Sequence, residues 1–303
     1  MTSPMIEKLA LRHILTGHTG AVMSVAIGAN GPILVSGAAD KTIKVWDLFT
    51  GKQVRTLTGH KEAVMSVAIG VDGETLVSGS GSKIDSTIRV WKLSTGKQVR
   101  TLAGHAYGVN SVAISADGRT LVSGSNDKTI KVWDLFAGKQ VRTLTGHTSM
   151  VMSVAISADG QTLVSAGADQ TIKVWNLFTG KQVWSLVGHR EAVWSVAVSA
   201  DGQTLVSASR DKAIKVWDLS TGKQIRTLTG HSNFVYSVAM GVDGQTLVSA
   251  GADQTIRVWD LSIGKQVRIL TSHTNSAYRV AISSDGQALV SGSLDGTIKV
   301  WGA

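Results

Sequence analysis

The chain contains no cysteine, only two prolines in 303 residues, and aromatic side chains at just 5% of positions. The missing cysteine excludes disulfides, thiolate nucleophiles and thiolate-held metals. With so little proline, the chain must reverse direction mainly on its 33 glycines and on Asp and Asn. No apolar run comes near the roughly 20 residues of a membrane-spanning helix. The first residues, MTSPMIEK, lack the apolar core of a secretory leader. These absences lead to the expectation of a cytoplasmic protein without a membrane segment. Glutamate is also scarce: Glu7, Glu62, Glu74 and Glu191 are all there are, and no two are spaced as a catalytic pair.

What is present is a repeat. A Gly-His pair stands at Gly17, Gly59, Gly104, Gly146, Gly188 and Gly230, with Ser272-His273 as a seventh. The spacings are 42, 45, 42, 42, 42 and 42 residues. A length of 303 residues suggests two domains, but a fixed period of this size overrides that, because each unit needs its neighbours. One domain is therefore expected over 1–303. Within the copy at 146–187 the apolar alternation has period two. Short runs at 151–156, 162–165, 171–175 and 182–186 are separated by Gly- and Asp-bearing turns. This pattern predicts a four-stranded antiparallel meander. Such a sheet cannot bury both apolar faces alone, whereas copies stacked around an axis can.

Trp46, Trp91, Trp133, Trp175, Trp217, Trp259 and Trp301 close the third run of each copy. Asp47, Asp134, Asp218 and Asp260 follow four of them. Together with the Gly-His pairs and an Asp in the turn before, this resembles the WD-repeat (WD40) β-propeller family over about residues 9–303. The resemblance implies an all-β fold of seven four-stranded blades. The near-identity of the copies is similar to that of highly repetitive bacterial, cyanobacterial-like members. The last copy stops after its third run, while residues 9–16 (LALRHILT) form a fourth run with no first three before it. We expect residues 1–8 to be a flexible lead and residues 9–16 to complete blade seven. Counting back from the Gly-His pair sets Leu11 where Gln53 stands and Arg12 where Val54 stands. Closing the ring in this way removes free sheet edges at the junction.

The family resemblance further implies a hydrogen-bonded tetrad in each blade. It would be His18, Ser36, Asp40 and Trp46 in blade one, His147, Ser165, Asp169 and Trp175 in blade four, and His273, Ser291, Asp295 and Trp301 in blade seven. A census supports a structural role. Of 17 Asp, seven are these turn residues, six precede a Gly in the first turn and four follow Trp, so none remains for chemistry. Seven of eight His open the repeats, leaving His13. Catalysis needs unlike groups converging once, not the same set seven times. No metal cluster, phosphate loop or nucleophile elbow occurs, and GSGS at 79–82 reads as a loop insertion. A non-catalytic protein with no cofactor or metal is the expectation.

Functional information should lie where the copies differ. Family resemblance places the loops after Gly-His and before the turn Asp on the top face, around the central channel. Five residues after each His stand Met23, Met65, Asn110, Met152, Trp194, Tyr236 and Tyr278; three after it stand, among others, Met150 and Phe234. Before the turn Asp stand Ala39, Ile84, Asn126, Ala168, Arg210, Ala252 and Leu294. Trp, Tyr and Arg are the residue types of interface hot spots, and Met adapts to varied partners. The alternative is that the first of these positions simply packs between blades. Three departures stand out. Blade two has three extra residues before Asp85. Arg279 replaces a Ser present in the other six copies. Phe49, Phe136 and Phe178 occupy a turn on the opposite face, as a second contact surface or as packing over the next turn.

The net charge of +9 raises nucleic acid as a partner. Three repeated columns, those of Lys44, Lys52 and Arg55, carry most of the cations evenly around the ring. They suggest a diffuse girdle, weakly attractive, rather than a specific nucleic-acid groove. The expectation is a monomeric interaction scaffold that holds a peptide or protein at the top face. The alternative is an architectural or self-associating propeller, or the recognition domain of a larger signalling protein.

Overall fold

The computed structural model describes residues 9–29, 31–271 and 273–302. The expected lead, residues 1–8, lies outside them. Seven four-stranded antiparallel sheets make seven blades; in six the meander runs in chain order from inner to outer strand, and in the seventh the outer strand is the first strand of the chain. Blade four has strands Val151–Ile156, Thr162–Gly167, Thr171–Asn176 and Gln182–Val187. The inner strand of each blade contacts the inner strands of the blades on either side. Ala277–Ile282 of blade seven contacts Val22–Ile27 of blade one, so the ring is closed.

The core lies between blades. In one cluster Val122, Ile130, Val132 and Leu144 of blade three meet Val151, Val154, Leu163, Trp175 and Leu177 of blade four. Each sheet thus buries both faces only because another sheet covers them. Polar bonds add to this contact. Ser24 Oγ accepts from the Val67 N–H at 3.1 Å, and Ser66, Ser111, Ser153, Ser195 and Ser237 repeat this bond to the next blade.

Closure follows the expected register. Ala10–Leu15 pairs antiparallel with Ile298–Gly302, with Leu11 opposite Trp301 and His13 opposite Val300. Gln53 and Arg55 stand opposite Trp46 and Val45 in the same way. One detail was not expected. Leu9 is only 1% exposed and packs with Leu289 and Trp301. It fills the role that Leu48, Leu177 and Leu219 play in their blades. The seventh copy has Ala303 at that sequence position, so the closing segment supplies the missing leucine as well as the strand.

Candidate functional site

The side chains that vary between copies share one backbone feature. The inner-to-second strand ladder shifts register between Val22 and Ser24, and at the same place in every blade through Ala277 and Arg279. The unpaired bulge residues are therefore Met23, Met65, Asn110, Met152, Trp194, Tyr236 and Tyr278. A bulge re-aims its side chain out of the pleat and imposes no cross-strand partner on it. The position can thus vary without disturbing the ladder, and it lies on the strands that line the channel.

Along blades five to seven these side chains form a continuous arc. The rings of Trp194 and Tyr236 stand nearly perpendicular at 5.5 Å between centroids, and Tyr236 lies 4.9 Å from Tyr278. Phe234 adds an edge contact to Tyr236 at 6.4 Å. Both ends carry a cation. The Arg210 guanidinium lies 4.7 Å from the centre of the Phe234 ring, and that of Arg279 lies 5.8 Å from the centre of the Tyr278 ring. Arg210 is exposed, and the aromatic residues and Arg279 are half-buried. Burial raises the pKa of the Tyr278 phenol and lowers that of the Arg279 guanidinium. The Trp194 Nε1–H is shielded and has no hydrogen-bond partner among the described residues. Such a donor costs about 1–3 kcal/mol until an acceptor reaches it.

The other expected contacts do not join this arc as one surface. Asn110 is buried, and its amide donates to Asn126 Oδ1 at 2.7 Å and to the Val151 carbonyl at 3.0 Å, so it serves the scaffold. Met23, Met65 and Met152 are half-buried, and Met150 is exposed in its loop. Arg279 cannot accept the inter-blade bond that its serine counterparts take, because a guanidinium has no acceptor. Its Nε instead donates to the Met23 carbonyl at 3.2 Å. In blade two the residue equivalent to Ala168 is not Ile84. The bond that Ala168 N makes to Met150 O is made there by Gly81 N to Ala63 O. Ile84 stands on the inserted lip, largely exposed.

The tetrads form in all seven blades. In blade four Trp175 Nε1 donates to Ser165 Oγ, Ser165 Oγ donates to His147 Nε2, and His147 Nδ1 donates to Asp169 Oδ2, each at 2.9 Å. The direction is dictated at one end, since indole only donates and carboxylate only accepts. Asp169 also accepts from the Thr148 and Thr171 N–H groups and from Thr171 Oγ1. Burial lowers the pKa of His18, His60 and His273 despite their Asp partners. Burial raises that of Asp85, Asp211 and Asp295, but hydrogen bonds from the Thr87 and Thr297 hydroxyls, from His and from backbone N–H groups outweigh it and hold each at about 2. Both effects have the same sign. Below 6.5 the unfolded histidines take protons that the folded ones refuse, and below 3.8 the unfolded aspartates do the same. Stability should therefore be level between about pH 7 and about pH 9, decline below about 6.5, and fall again from about 3.8 towards about 2. Urea midpoints measured at descending pH test this, and a midpoint that rises between about pH 7 and about pH 5 contradicts it.

Members of two of the three cationic columns are fastened within the ring by hydrogen bonds. Lys44, Arg89, Lys131, Lys215 and Arg257 donate to a Gln of their own outer strand, and Lys173 to Ser185. Arg142 Nη1 reaches the Leu177 and Phe178 carbonyls of the next blade at 3.1 and 2.9 Å, and Arg100 and Arg226 repeat the reach.

The model of the WD domain, G-beta repeat, matches seven times, at residues 9–47, 51–92, 96–134, 138–176, 180–218, 222–260 and 264–302. The chain belongs to the WD40 repeat family. Among curated proteins, this WD40 propeller is similar to the ribosome biogenesis protein BOP1 homologs of Drosophila persimilis and Drosophila mojavensis, 44% identical over 54 residues, and to that of Drosophila willistoni at 43% over the same length. The aligned stretch is 18% of this chain and 6% of each relative. It is little longer than one 42-residue repeat, so it reflects the WD40 pattern shared by all blades. Among the described residues of the propeller, no group of three or more His, Cys, Asp or Glu could hold a metal ion, and no helix is long and apolar enough to cross a membrane.

On the opposite face, Phe49, Phe136 and Phe178 point into solvent rather than packing over the next turn. Trp184, not among the variable positions expected to carry function, takes the place of the arginine fastening in blade four. Its signal was available in the outer-strand column of Arg55, Arg100, Arg142, Arg226 and Arg268.

Proposed function

We propose that this WD40 propeller is a non-catalytic scaffold that captures a peptide or protein segment at the top face. The contact arc is Trp194, Phe234, Tyr236 and Tyr278 between Arg210 and Arg279, with Met23, Met65, Met150 and Met152 along the rest of the rim. The observation that carries this reading is the unbroken aromatic arc on unpaired bulge positions beside the channel. Bulge residues owe no ladder pairing, so their size and aromaticity are free to serve a ligand. Half-buried Trp and Tyr flanked by Arg form the chemistry of an interface hot spot. The unpartnered Trp194 N–H offers a bond to a ligand carbonyl. The absence of cysteine fits a reducing compartment such as the cytoplasm. The fastened cations argue against a specific nucleic-acid site.

Peptides selected on the immobilised wild-type propeller provide the test. A Trp194→Ala, Tyr236→Ala, Tyr278→Ala variant should lose about 100-fold or more in affinity for them, since single hot-spot truncations cost about 2 kcal/mol or more. Phe136→Ser on the opposite face should leave binding unchanged. If the triple variant is folded and binds like wild type, the arc is packing and the site lies elsewhere.

A further inference from the structure

The outer strand of each blade leaves one row of backbone N–H and C=O groups facing solvent, and such edges pair with other strands unless charge prevents it. Six of the seven outer strands carry a cation. Arg12 lies in Ala10–Leu15, Arg55 in Gln53–Leu57, Arg100 in Lys97–Leu102, Arg142 in Lys139–Leu144, Arg226 in Gln224–Leu228 and Arg268 in Lys265–Thr271. The outer strand of blade four, Gln182–Val187 (QVWSLV), carries none. Trp184 replaces the Arg of five sibling copies, and Val187 replaces a Thr of five. Both changes leave apolar surface at the edge. Val183 is 52%, Trp184 37% and Val187 74% exposed, and Phe178, in the turn leading into the strand, is 87% exposed. Trp184 also gives up the carbonyl bonds that Arg142 makes, and lies over Gly222 of blade five instead.

We propose that this edge is a self-association surface on which Gln182–Val187 pairs antiparallel with the same strand of a second copy. Charge selects the occupant. In a two-fold pairing a strand faces itself, so a cation within it is brought close to its own copy and repels it. Only the blade-four strand escapes this penalty: Lys181 lies outside the paired segment, and Lys173, whose ammonium donates to Ser185, belongs to the adjoining strand Thr171–Asn176. An uncharged six-residue segment rich in β-formers, without Pro or Gly, also has the composition that favours strand-to-strand stacking. Two strands of this length bury less than a standard interface, so the dimer is weak, with a dissociation constant on the order of 10–100 µM. This departs from the monomer expected from the sequence.

The test is sedimentation equilibrium over a concentration series. Wild type should approach twice the 31.8 kDa chain mass as concentration rises. The Trp184→Arg, Val187→Thr variant should remain at the monomer mass throughout. Both replacements are residues that sibling blades carry at these positions, so the fold is retained, and an unchanged or higher Tm verifies this. The Trp194→Ala, Tyr236→Ala, Tyr278→Ala variant should dimerise like wild type, which separates this edge from the top-face arc. A wild type that stays monomeric at the highest concentration, or an edge variant that dimerises equally well, overturns the proposal.

Discussion

Asp169→Ala should lower stability by about 2–4 kcal/mol, the largest effect expected from a single substitution in this propeller. The carboxylate is nearly sealed from solvent and accepts from His147 Nδ1, the Thr148 and Thr171 N–H groups and Thr171 Oγ1. Alanine leaves four donors without an acceptor where water enters poorly. It also frees the imidazole that orients Ser165 under the Trp175 indole. The loss spreads because Trp175 is a core residue of the junction between blades three and four. For a chain of this size the expected fall in Tm is about 5–10 °C. Asp169→Asn should recover part of it, because an amide oxygen still accepts. A Tm within about 1 °C of wild type for the alanine variant would falsify the view that the tetrad stabilises the blade. Equivalent substitutions at Asp40 and Asp295 should behave alike, since the same bonds recur there.

Deleting residues 1–16 should have a still larger effect. It removes the strand Ala10–Leu15, which is the fourth strand of blade seven. It also removes Leu9 and Leu15, both buried and belonging to different inter-blade clusters. Two buried leucines contribute about 1.5–3 kcal/mol each, and each ladder hydrogen bond adds about 0.5–1.5 kcal/mol. Arg268 Nη2, which donates to the Leu9 carbonyl at 2.6 Å, loses that acceptor too. The total, about 5–10 kcal/mol, is comparable with the whole stability of an ordinary domain. The shortened chain should therefore melt far below wild type or associate through the exposed edge of Ile298–Gly302. A peptide of residues 9–16 added in trans should restore part of the loss. A truncated chain that remains monomeric with the wild-type Tm would show that the closing strand contributes nothing.

Several features were legible because they repeat. The Gly-His spacing and the Trp column define seven blades, and the leftover run at residues 9–16 identifies the closing strand and its register. The tetrads followed from the family resemblance, and the count of Asp and His supported a structural role for them. A side chain required seven times in one role leaves the same mark seven times.

Other features needed the folded ring. That the column from Met23 to Tyr278 is a column of β-bulges depends on pairing between two strands, which no alternation within one strand reveals. The stack from Arg210 through Phe234, Tyr236 and Tyr278 to Arg279 joins blades five, six and seven, and depends on how closely successive inner strands pack. The lip of blade two transferred the role expected of Ile84 to Gly81, because the inserted residues fall after the ladder bond rather than before it. Leu9 acquired its place because ring closure brings the first described residue against Trp301. The cation columns looked alike as text, yet the distance from Arg142 to the next blade's carbonyls makes one of them a fastening between blades.

The sequence by itself determined the fold, the number of blades, the closing strand and the separation of scaffold letters from variable ones, because these follow from local pattern and its repetition. Only the tertiary structure decided which variable side chains meet and which arginines reach the next blade's carbonyls, because both depend on contacts between different blades.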